Sequence, residues 1–333
     1  MRKSRLRDGV EFDRIRVFVD AIDAPVVAGV EIGPGDDAAA LLTTGAESLV
    51  LSTDMSVEGV HFRRDWMTWA TVGYRSTAAA LSDLAAMAAD PVGVLVSLAL
   101  PSELGQQVVL EIATGIGDCL RRHGTGLLGG DLSRSPGPVV LDISVVGRAA
   151  VPIERCGASP GDEVWVTGVL GGAGVAMAAL SGGREPDTAS LHRLESPTPR
   201  LAEARWLADR VPVHALIDLS DGLAGDAEHV AAASGVHMDI RLDALPLCPE
   251  LAGWANRDSA LGLACGGGED YELLLAVPPG VLLSVAGEFE SRFDLSLTRV
   301  GSVTEGDGVA WLDERGSPRP APAAGFDHFA TEE

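Results

Sequence analysis

The sequence is almost free of lysine. Of its 25 lysine and arginine residues, only Lys3 is a lysine. A Walker A loop and a protein-kinase active site each need a lysine on the phosphates, and pyridoxal or Schiff-base enzymes need a lysine nucleophile. Those classes are excluded. Any phosphate that this protein handles must therefore be met by arginine, backbone amides or metal ions.

Cysteine is also scarce. The four cysteines lie far apart and form no CxxC pair, which argues against a zinc site and against a disulfide framework. They are Cys119, Cys156, Cys248 and Cys265. We therefore expect a protein of the reducing cytoplasm.

Long apolar runs and net positive charge are lacking as well. No stretch reaches the ~18 consecutive apolar residues of a membrane span. The charged first segment, MRKSRLRDGVEF, lacks the apolar core of a secretory signal. The formal net charge of −23 argues against nucleic acid, whose phosphates need a basic surface. We expect neither a membrane nor a nucleic-acid partner.

The order of sequence patterns predicts two α/β (α+β) domains. With 333 residues, 46% of them hydrophobic, the chain can form two cores. The segment 149–164 is rich in proline and glycine and indicates a boundary, so we assign domains to 1–150 and 151–333. In the first half, helical patterns occur at 11–22, 69–90 and 102–123, and strand patterns at 47–56, 91–101 and in TGLLGGD and PVVLDISVVGR.

The second half repeats this alternation. Strand patterns are EVWVTG, HALIDLS, ALGLAC and YELLLAV, helical patterns lie near 199–210, 222–234 and 280–292, and 184–200 is predicted to be a connecting loop.

Six short stretches place an acid between small residues and an aliphatic run. They are GPGDDAAALL, LSTDMS, LSDLAAM, LLGGDLS, IDLSDGL and GGGEDYELL. Aspartates in turns are usually solvated, and Ser220 and Asp221 could simply begin a helix. Asp83 is harder to explain in this way, because an unpaired acid within an apolar helix is costly to bury. In a chain with so few cations, a bound divalent metal is the obvious partner.

The ligand types indicate a hard metal ion. STD (52–54) offers three oxygen ligands in succession, and DLSD (218–221) offers two carboxylates around a hydroxyl. Aspartate and hydroxyl oxygens without a histidine or cysteine cluster favour Mg²⁺ or Mn²⁺ over zinc. Magnesium commonly bridges one or two carboxylates to substrate phosphates. The neighbouring glycines would let the backbone approach those phosphates closely. These features predict metal-assisted phosphoryl transfer.

The six motifs, in this order and spacing, resemble the thiamine-monophosphate kinase family. That family lies in a superfamily with aminoimidazole ribonucleotide synthetase, selenophosphate synthetase and a hydrogenase-maturation protein. The similarity runs from EFDRIR to GFDHF, nearly the whole chain. It implies the two-domain fold of aminoimidazole ribonucleotide synthetase, with an N-terminal mixed sheet used for dimerisation and a C-terminal α/β domain completing the active site. It also implies ATP-dependent phosphorylation of thiamine monophosphate to thiamine diphosphate, the final step of thiamine diphosphate biosynthesis, with several Mg²⁺ ions and a homodimer.

The resemblance also implies site residues, position by position. The implied magnesium ligands are Asp37, Ser52, Thr53, Asp54, Asp83, Asp131, Asp218 and Asp221. The implied nucleotide contacts are Gly130, Asp131, Arg155 and Ser220, and the implied thiamine contacts are His61, Glu269 and Phe326. The chain departs from the usual family pattern at Val60, Ala88, Leu132 and Ser133, none of which is an implied ligand.

The predicted chemistry needs no general base. The acceptor, a phosphate monoester with a second pKa of ~6, is mostly dianionic at neutral pH and is already a nucleophile. We therefore expect direct in-line transfer without a catalytic base and without a phosphoenzyme.

Other interpretations remain open from the sequence. His61 could be a structural hydrogen-bonding residue, Glu269 could end a strand, and Arg155 could pair with an acid at the domain boundary. Trp66 and Trp69 are predicted to pack rather than to stack on a base. Among related enzymes, selenophosphate synthetase needs a reactive cysteine near its N-terminus, whereas the first cysteine here is Cys119, and the hydrogenase-maturation protein ends in cysteine, whereas this sequence ends FATEE. Aminoimidazole ribonucleotide synthetase lacks the pairing of GGEDYEL with GFDHF. A binding protein without turnover is the alternative from another class.

Overall fold

The computed structural model describes residues 29–33, 35–254 and 256–325. The helix predicted over 11–22 lies outside this part of the chain. The first sheet has six strands in the order β1-β2-β3-β6-β4-β5, with β4 and β5 parallel and the other neighbours antiparallel. Its strands are β1 (Val30–Ile32), β2 (Ala39–Leu42), β3 (Ser48–Val57), β4 (Asp90–Leu100), β5 (Leu127–Arg134) and β6 (Val140–Ala149).

Two helices cover this sheet and pack closely on each other. They are α1 (Trp69–Ala86), whose first turn is capped by the Thr68 hydroxyl, and α2 (Gln106–Arg122). Glycines permit the close approach. A Cβ on Gly73 would lie 2.2 Å from the carbonyl oxygen of Ile112, and one on Gly115 would lie 1.8 Å from that of Ala70. The two backbones are therefore almost in contact at this crossing.

The second sheet has seven strands in the order β13-β12-β9-β11-β7-β10-β8. Its strands are β7 (Glu163–Thr167), β8 (Ala215–Asp218), β9 (His237–Arg241), β10 (Leu273–Val277), β11 (Leu297–Thr304), β12 (Gly308–Leu312) and β13 (Pro318–Arg319). The accompanying helices are α3 (Gly172–Ser181), α4 (Thr188–Glu195), α5 (Leu201–Ala208), α6 (Leu223–Ser234), α7 (Arg257–Gly266) and α8 (Ala286–Phe293). Strands β7 and β10 and the edge strand β8 are buried throughout, in agreement with their largely apolar sequences.

Two predictions for the second half are wrong. ALGLAC, predicted as a strand, lies in α7, where the Asn256 side chain accepts a hydrogen bond from the Ser259 amide and begins the helix. A short apolar run is compatible with a strand or a helix, and here the Asn256 N-cap favours the helix. The predicted loop 184–200 contains α4, because Asp187 accepts from the amides of Ala189 and Ser190.

Helix α1 lies where the two halves of the molecule meet. Besides β3, β4 and β6 it contacts α4, α5 and β8, and its buried residues belong to a core that includes Trp165, Trp206 and Phe289. This helix therefore carries side chains from the first half into contact with the second. Among the described residues, no helix combines the length and the apolar composition that crossing a lipid bilayer needs.

Candidate active site

A cavity of about 560 Å³ lies between the two sheets, beside α1. Its walls come from the loop before β2, from β3 and the segment after it, from α1, and from the loops that follow β8 and α7. Its lining contains a group of neighbouring aspartates, called the acidic end below, together with several apolar and aromatic side chains. Segments far apart in sequence therefore share one wall.

The acidic end is built from both halves of the chain. Successive side chains alternate between the faces of a strand, so Ser52 and Asp54 of β3 share one face. The Ser52 hydroxyl lies 2.5 Å from Oδ2 of Asp83 on α1 and 3.0 Å from the carbonyl oxygen of Asp37. Asp218, the last residue of β8, and Asp221, just before α6, complete the group.

Arg155 is the principal cation of this end. Its guanidinium donates to Oδ1 of Asp37 at 2.5 Å and lies 3.6 Å from Oδ1 of Asp36, and its backbone amide lies 3.2 Å from Oδ2 of Asp36. The side chains of Asp36 and Asp37 are only 1% and 7% exposed. These contacts agree with the interpretation that Arg155 pairs with an acid at the domain boundary. The Arg155 side chain also lines the cavity.

The pKa values of these acids show that one arginine does not neutralise them. Burial, and then Asp37, raise the pKa of Asp36 to about 7. Burial, and then Glu269 and Asp142, raise the pKa of Asp54 to about 6. Burial, and then Asp37, raise the pKa of Asp218 to about 7. Burial, and then Asp218 and Asp54, raise the pKa of Asp83 well above its usual range. The group repels itself when fully ionised.

The donors present fit magnesium. Oδ2 of Asp37 is buried and has no hydrogen-bond partner among the residues that the structure describes. The acidic end of the cavity offers mainly carboxylate and hydroxyl oxygens, which are the ligands that hard divalent cations take. A bound cation would satisfy the orphan oxygen and remove the repulsion that raises the neighbouring pKa values.

Two glycines let the loops of the second half approach each other here. Gly222 (φ 90°) and Gly268 (φ 64°) have left-handed backbones, and a Cβ on either would lie 2.7 Å from a carbonyl oxygen of the facing loop, that of Cys265 or Ser220 respectively. Glu269 and Tyr271 also have positive φ, 63° and 50°. Strained backbone of this kind persists where the surroundings enforce it, commonly at functional sites.

The apolar side chains that line the cavity include Phe62, Trp66, Met67, Met177 and Leu194. Buried Arg75 of α1, which also lines the cavity, forms an ion pair with Glu269, whose Oε2 accepts from the Tyr271 hydroxyl at 3.0 Å. This pair joins the two halves across the cavity.

His61 also lines the cavity. Its Nδ1 accepts a hydrogen bond of 3.0 Å from the Val57 amide, so the imidazole orientation is set by the backbone.

The structure brings most of the implied site residues to this cavity. They are Asp37, Ser52, Thr53, Asp54, His61, Asp83, Arg155, Asp218, Ser220, Asp221 and Glu269. Thr53 touches the cavity, but its hydroxyl lies 3.0 Å from Asp142 and 3.1 Å from Ser144 on β6. Gly130 and Asp131 are exposed on β5 and are not among the described residues lining the cavity. Phe326 lies outside the described residues, so its role stays a prediction.

Sequence reasoning missed several residues of the site. Asp36 stands beside Asp37, and Arg75 is a cation inside an alanine-rich helix, the same signal that identified Asp83. Asp270 accepts at 2.8 Å from the amide of Gly171 and caps α3. Trp69 packs edge-on against Phe62, in agreement with the predicted packing role, whereas Trp66 lines the cavity. Cys265 is a fully buried free thiol.

Comparisons with known families define the class of protein. The family described as AIR synthase related protein matches with its N-terminal domain over residues 35–149 and with its C-terminal domain over residues 159–313. The two matches cover most of the chain. The α/β fold expected from the resemblance is thereby confirmed, and the cavity lies between parts of the molecule that belong to the two matched regions.

Individual similar proteins identify the family within this class. The thiamine-monophosphate kinase of Escherichia coli strain K12 is 34% identical over 333 residues, which cover 96% of this chain and 98% of the relative. That of Rhodopirellula baltica is 34% identical over 290 residues, 84% of this chain and 85% of the relative. A solved structure of AaThiL complexed with AMPPCP and TMP has a TM-score of 0.80 and 29% identity, covering 96% of this chain and 97% of that one. The chain belongs to the thiamine-monophosphate kinase family and is an enzyme, a phosphotransferase.

Proposed function

We propose that this enzyme transfers the γ-phosphoryl group of ATP to the phosphate of thiamine monophosphate with the help of several Mg²⁺ ions, completing thiamine diphosphate synthesis. The observation that carries the proposal is one cavity whose lining combines a dense group of aspartates with apolar and aromatic side chains. The triphosphate of ATP and the phosphate of the acceptor fit the acidic group when cations are present, and a heteroaromatic ring system fits the apolar and aromatic side chains. The relatives and the AaThiL complex support the same substrates.

The residues that would hold the magnesium ions are Asp37, Ser52, Asp54, Asp83, Asp218 and Asp221, with Thr53 and Asp131 implied by the resemblance. Bound magnesium would neutralise the charges of both anionic substrates and of the transferring phosphoryl group. The protein supplies rigidity. Ser52 is tied to Asp83 and to the backbone of Asp37, and Arg155 orients Asp37, so the carboxylates are positioned before any ligand arrives.

The transfer itself is direct. An oxygen of the thiamine monophosphate phosphate forms a bond to the γ-phosphorus while the bond from that phosphorus to the β,γ-bridging oxygen breaks, and ADP leaves with the electron pair. The acceptor oxygen needs no deprotonation near neutral pH. His61, the histidine that lines the cavity, accepts at Nδ1 from the backbone, which fits an orienting role rather than that of a base.

The thiamine moiety would lie against the apolar and aromatic side chains of the cavity. Phe62, Trp66 and Met67 offer a hydrophobic and aromatic wall, and the Glu269 carboxylate stands where it can face the positive charge of the thiazolium ring. Arg75 fixes the position of that carboxylate. The resemblance assigns Phe326 a further aromatic contact to the thiamine moiety.

We further propose that the chain is organised as domains 1–150 and 151–333 and acts as a homodimer through its N-terminal sheets. Edge strand β5 and neighbouring β4 expose several large apolar side chains, which a second sheet would cover. They are Leu95, Leu127, Leu128 and Leu132, between 42% and 62% exposed. Gly130 and Asp131 lie on the same strand, so their predicted nucleotide role would belong to the assembled enzyme. The free thiols fit a cytoplasmic location.

The direct test is an assay of the purified protein with ATP, Mg²⁺ and thiamine monophosphate, followed by detection of thiamine diphosphate. We expect product formation that EDTA abolishes. Parallel reactions with the aminoimidazole substrate and with selenide test the related enzymes of the superfamily, and turnover of either in place of thiamine monophosphate would overturn the proposal. Binding of both ligands with no product under any condition would favour a non-catalytic binding protein.

A further inference from the structure

Helix α6 carries a second group of metal-ligating side chains behind the acidic end of the cavity. Asp226 and His229 are three residues apart, so they project from the same side of the helix, and Asp221 lies just before it. One carboxylate oxygen of each aspartate and one ring nitrogen of His229 lie within 4.8 Å of one another. Asp221 lines the cavity, whereas Asp226 and His229 are not among its described lining residues.

Burial separates this group from an ordinary surface cluster. Asp226 is 2% exposed and His229 is 5% exposed. Oδ2 of Asp226 is buried and has no hydrogen-bond partner within the described parts of the chain. By contrast, buried Glu272 is held by Arg200 at 2.9 and 2.5 Å and by the Thr167 hydroxyl at 2.6 Å. A buried carboxylate oxygen without a partner is costly, and a cation is the ligand that satisfies it.

The donor set indicates the kind of cation. The acidic end of the cavity offers oxygen ligands only, which suits magnesium. Here two carboxylates are combined with an imidazole nitrogen, and a carboxylate and a histidine three residues apart on one helix face is a pattern that di-iron and di-manganese bundle proteins use. Imidazole raises affinity for borderline first-row metals above that for magnesium.

We propose that Asp221, Asp226 and His229 form a binding site for a first-row transition-metal dication, with Mn²⁺ preferred over Mg²⁺, adjacent to the phosphoryl-transfer cavity. The site shares Asp221 with the acidic end, so a cation there would lie next to the substrates and stiffen the loop from Asp218 to Gly222. The site needs no assumption about the reaction that the cavity catalyses.

The experiment counts Mn²⁺ ions bound to the full-length protein without nucleotide, by electron paramagnetic resonance of free Mn²⁺. We expect His229→Gln to bind one Mn²⁺ fewer per chain than the wild type, with Mg²⁺ binding by calorimetry changed less than twofold. His192→Gln, at an exposed histidine of α4, is the matched control and should bind as the wild type does. Equal Mn²⁺ stoichiometry in wild type and His229→Gln would show that His229 is only a hydrogen-bonding partner and would overturn the proposal.

A second variant keeps the test independent of any folding defect in the first. Asp226→Asn removes a carboxyl group that has an unsatisfied buried oxygen and lies near other acids, so its Tm in EDTA should equal or exceed that of the wild type, while the rise in Tm on adding Mn²⁺ should shrink. Asp258→Asn, at an exposed aspartate in the first turn of α7, should retain the full Mn²⁺-dependent rise. A full rise in Asp226→Asn would contradict the site. An anomalous Mn²⁺ peak between the three side chains in crystals would support it, whether or not the enzyme accepts thiamine monophosphate.

Discussion

The guanidinium of Arg155 and the carboxylate of Asp37 are joined by a hydrogen bond of 2.5 Å that links the segment between the two sheets to the loop before β2. Both side chains are largely buried, 11% and 7% exposed. Removing one partner of a buried pair leaves the other charge uncompensated.

We therefore expect Arg155→Gln to destabilise the metal-free protein by about 2–3 kcal/mol and to lower turnover at least ~10-fold. Arg155→Lys should lie between this variant and the wild type, because an ammonium group cannot reproduce the forked contact. Urea unfolding and steady-state kinetics check both effects. Arg148→Gln, at an exposed arginine of β6, is the control. Equal losses in the two glutamine variants would contradict a specific role for Arg155.

Two carboxylates of the acidic end should be essential for turnover but not for folding. Asn keeps the shape of Asp but loses the charge that would hold a divalent cation in the proposed site. Asp54→Asn and Asp221→Asn should each lower the rate by ~100-fold or more, with the thermal unfolding midpoint unchanged or raised, since both variants relieve repulsion. Asp118→Asn, at an exposed aspartate of α2, should behave as the wild type. Unchanged rates in both site variants would refute the metal assignment.

Glu269 should act on the thiamine substrate. Glu269→Gln can still accept a hydrogen bond from Arg75, but it no longer offers a negative charge to a thiazolium ring. We expect KM for thiamine monophosphate to rise roughly tenfold, the equivalent of ~1.4 kcal/mol, with KM for ATP unchanged. Glu290→Gln, at an exposed position of α8, serves as the control. An effect confined to ATP would mean that the positions of the two substrates in the cavity are assigned the wrong way round.

Asp270 should make stability depend on pH. Burial raises its pKa to about 7, against ~4 in an unfolded chain. Folding therefore favours the protonated form, and its contribution is complete below pH ~4 and is lost as the pH rises through about 7. Relative to the wild type, Asp270→Asn should gain stability between pH 5 and pH 8, by roughly 2.5 kcal/mol, because part of the wild-type loss has already occurred by pH 5.

The matched control for this effect is Asp187, which also accepts hydrogen bonds at a helix N-terminus. It is exposed, and its bonds from Ser190 lower its pKa. Its contribution is lost only as the pH falls below its usual range, so the effect of Asp187→Asn should be the same at pH 5 and pH 8. Urea unfolding in EDTA at the two pH values measures both variants. If the stability difference between Asp270→Asn and the wild type is the same at pH 5 and pH 8, the Asp270 carboxyl is not protonated in the folded protein at pH 5.

Two glycines of α2 should differ in how well they tolerate alanine, because only Gly115 lies at the close crossing with α1. Gly115→Ala places a methyl 1.8 Å from the Ala70 carbonyl oxygen, so the helices must separate, at a cost of about 1–3 kcal/mol. Gly117→Ala meets only the guanidinium of Arg121 at 3.2 Å, which can move, and should be neutral or stabilising by up to ~1 kcal/mol. Thermal unfolding compares them. A stable Gly115→Ala variant would mean that the crossing is looser than the structure has it.

The sequence pattern was sufficient to predict those helices and strands whose periodicity is long and regular. The helix at 69–90, the strand at 91–101 and the strand that carries Ser52 and Asp54 were predicted within a few residues, because their periodicity is long and regular. The ALGLAC and 184–200 predictions failed where a single capping side chain, Asn256 or Asp187, outweighed the pattern.

From the order of its acidic motifs and its lack of lysine, the sequence alone indicated the family and its phosphoryl-transfer chemistry and predicted a set of oxygen ligands, since these depend on residue types and spacing. The tertiary structure determined which of these residues line the same cavity. The Arg155–Asp37 and Arg75–Glu269 pairs, the unsatisfied oxygen of Asp226 and the pKa values near 7 all depend on segments more than a hundred residues apart or on burial. Electrostatic energy depends on distance and solvent exposure, and the packing of the whole chain determines both.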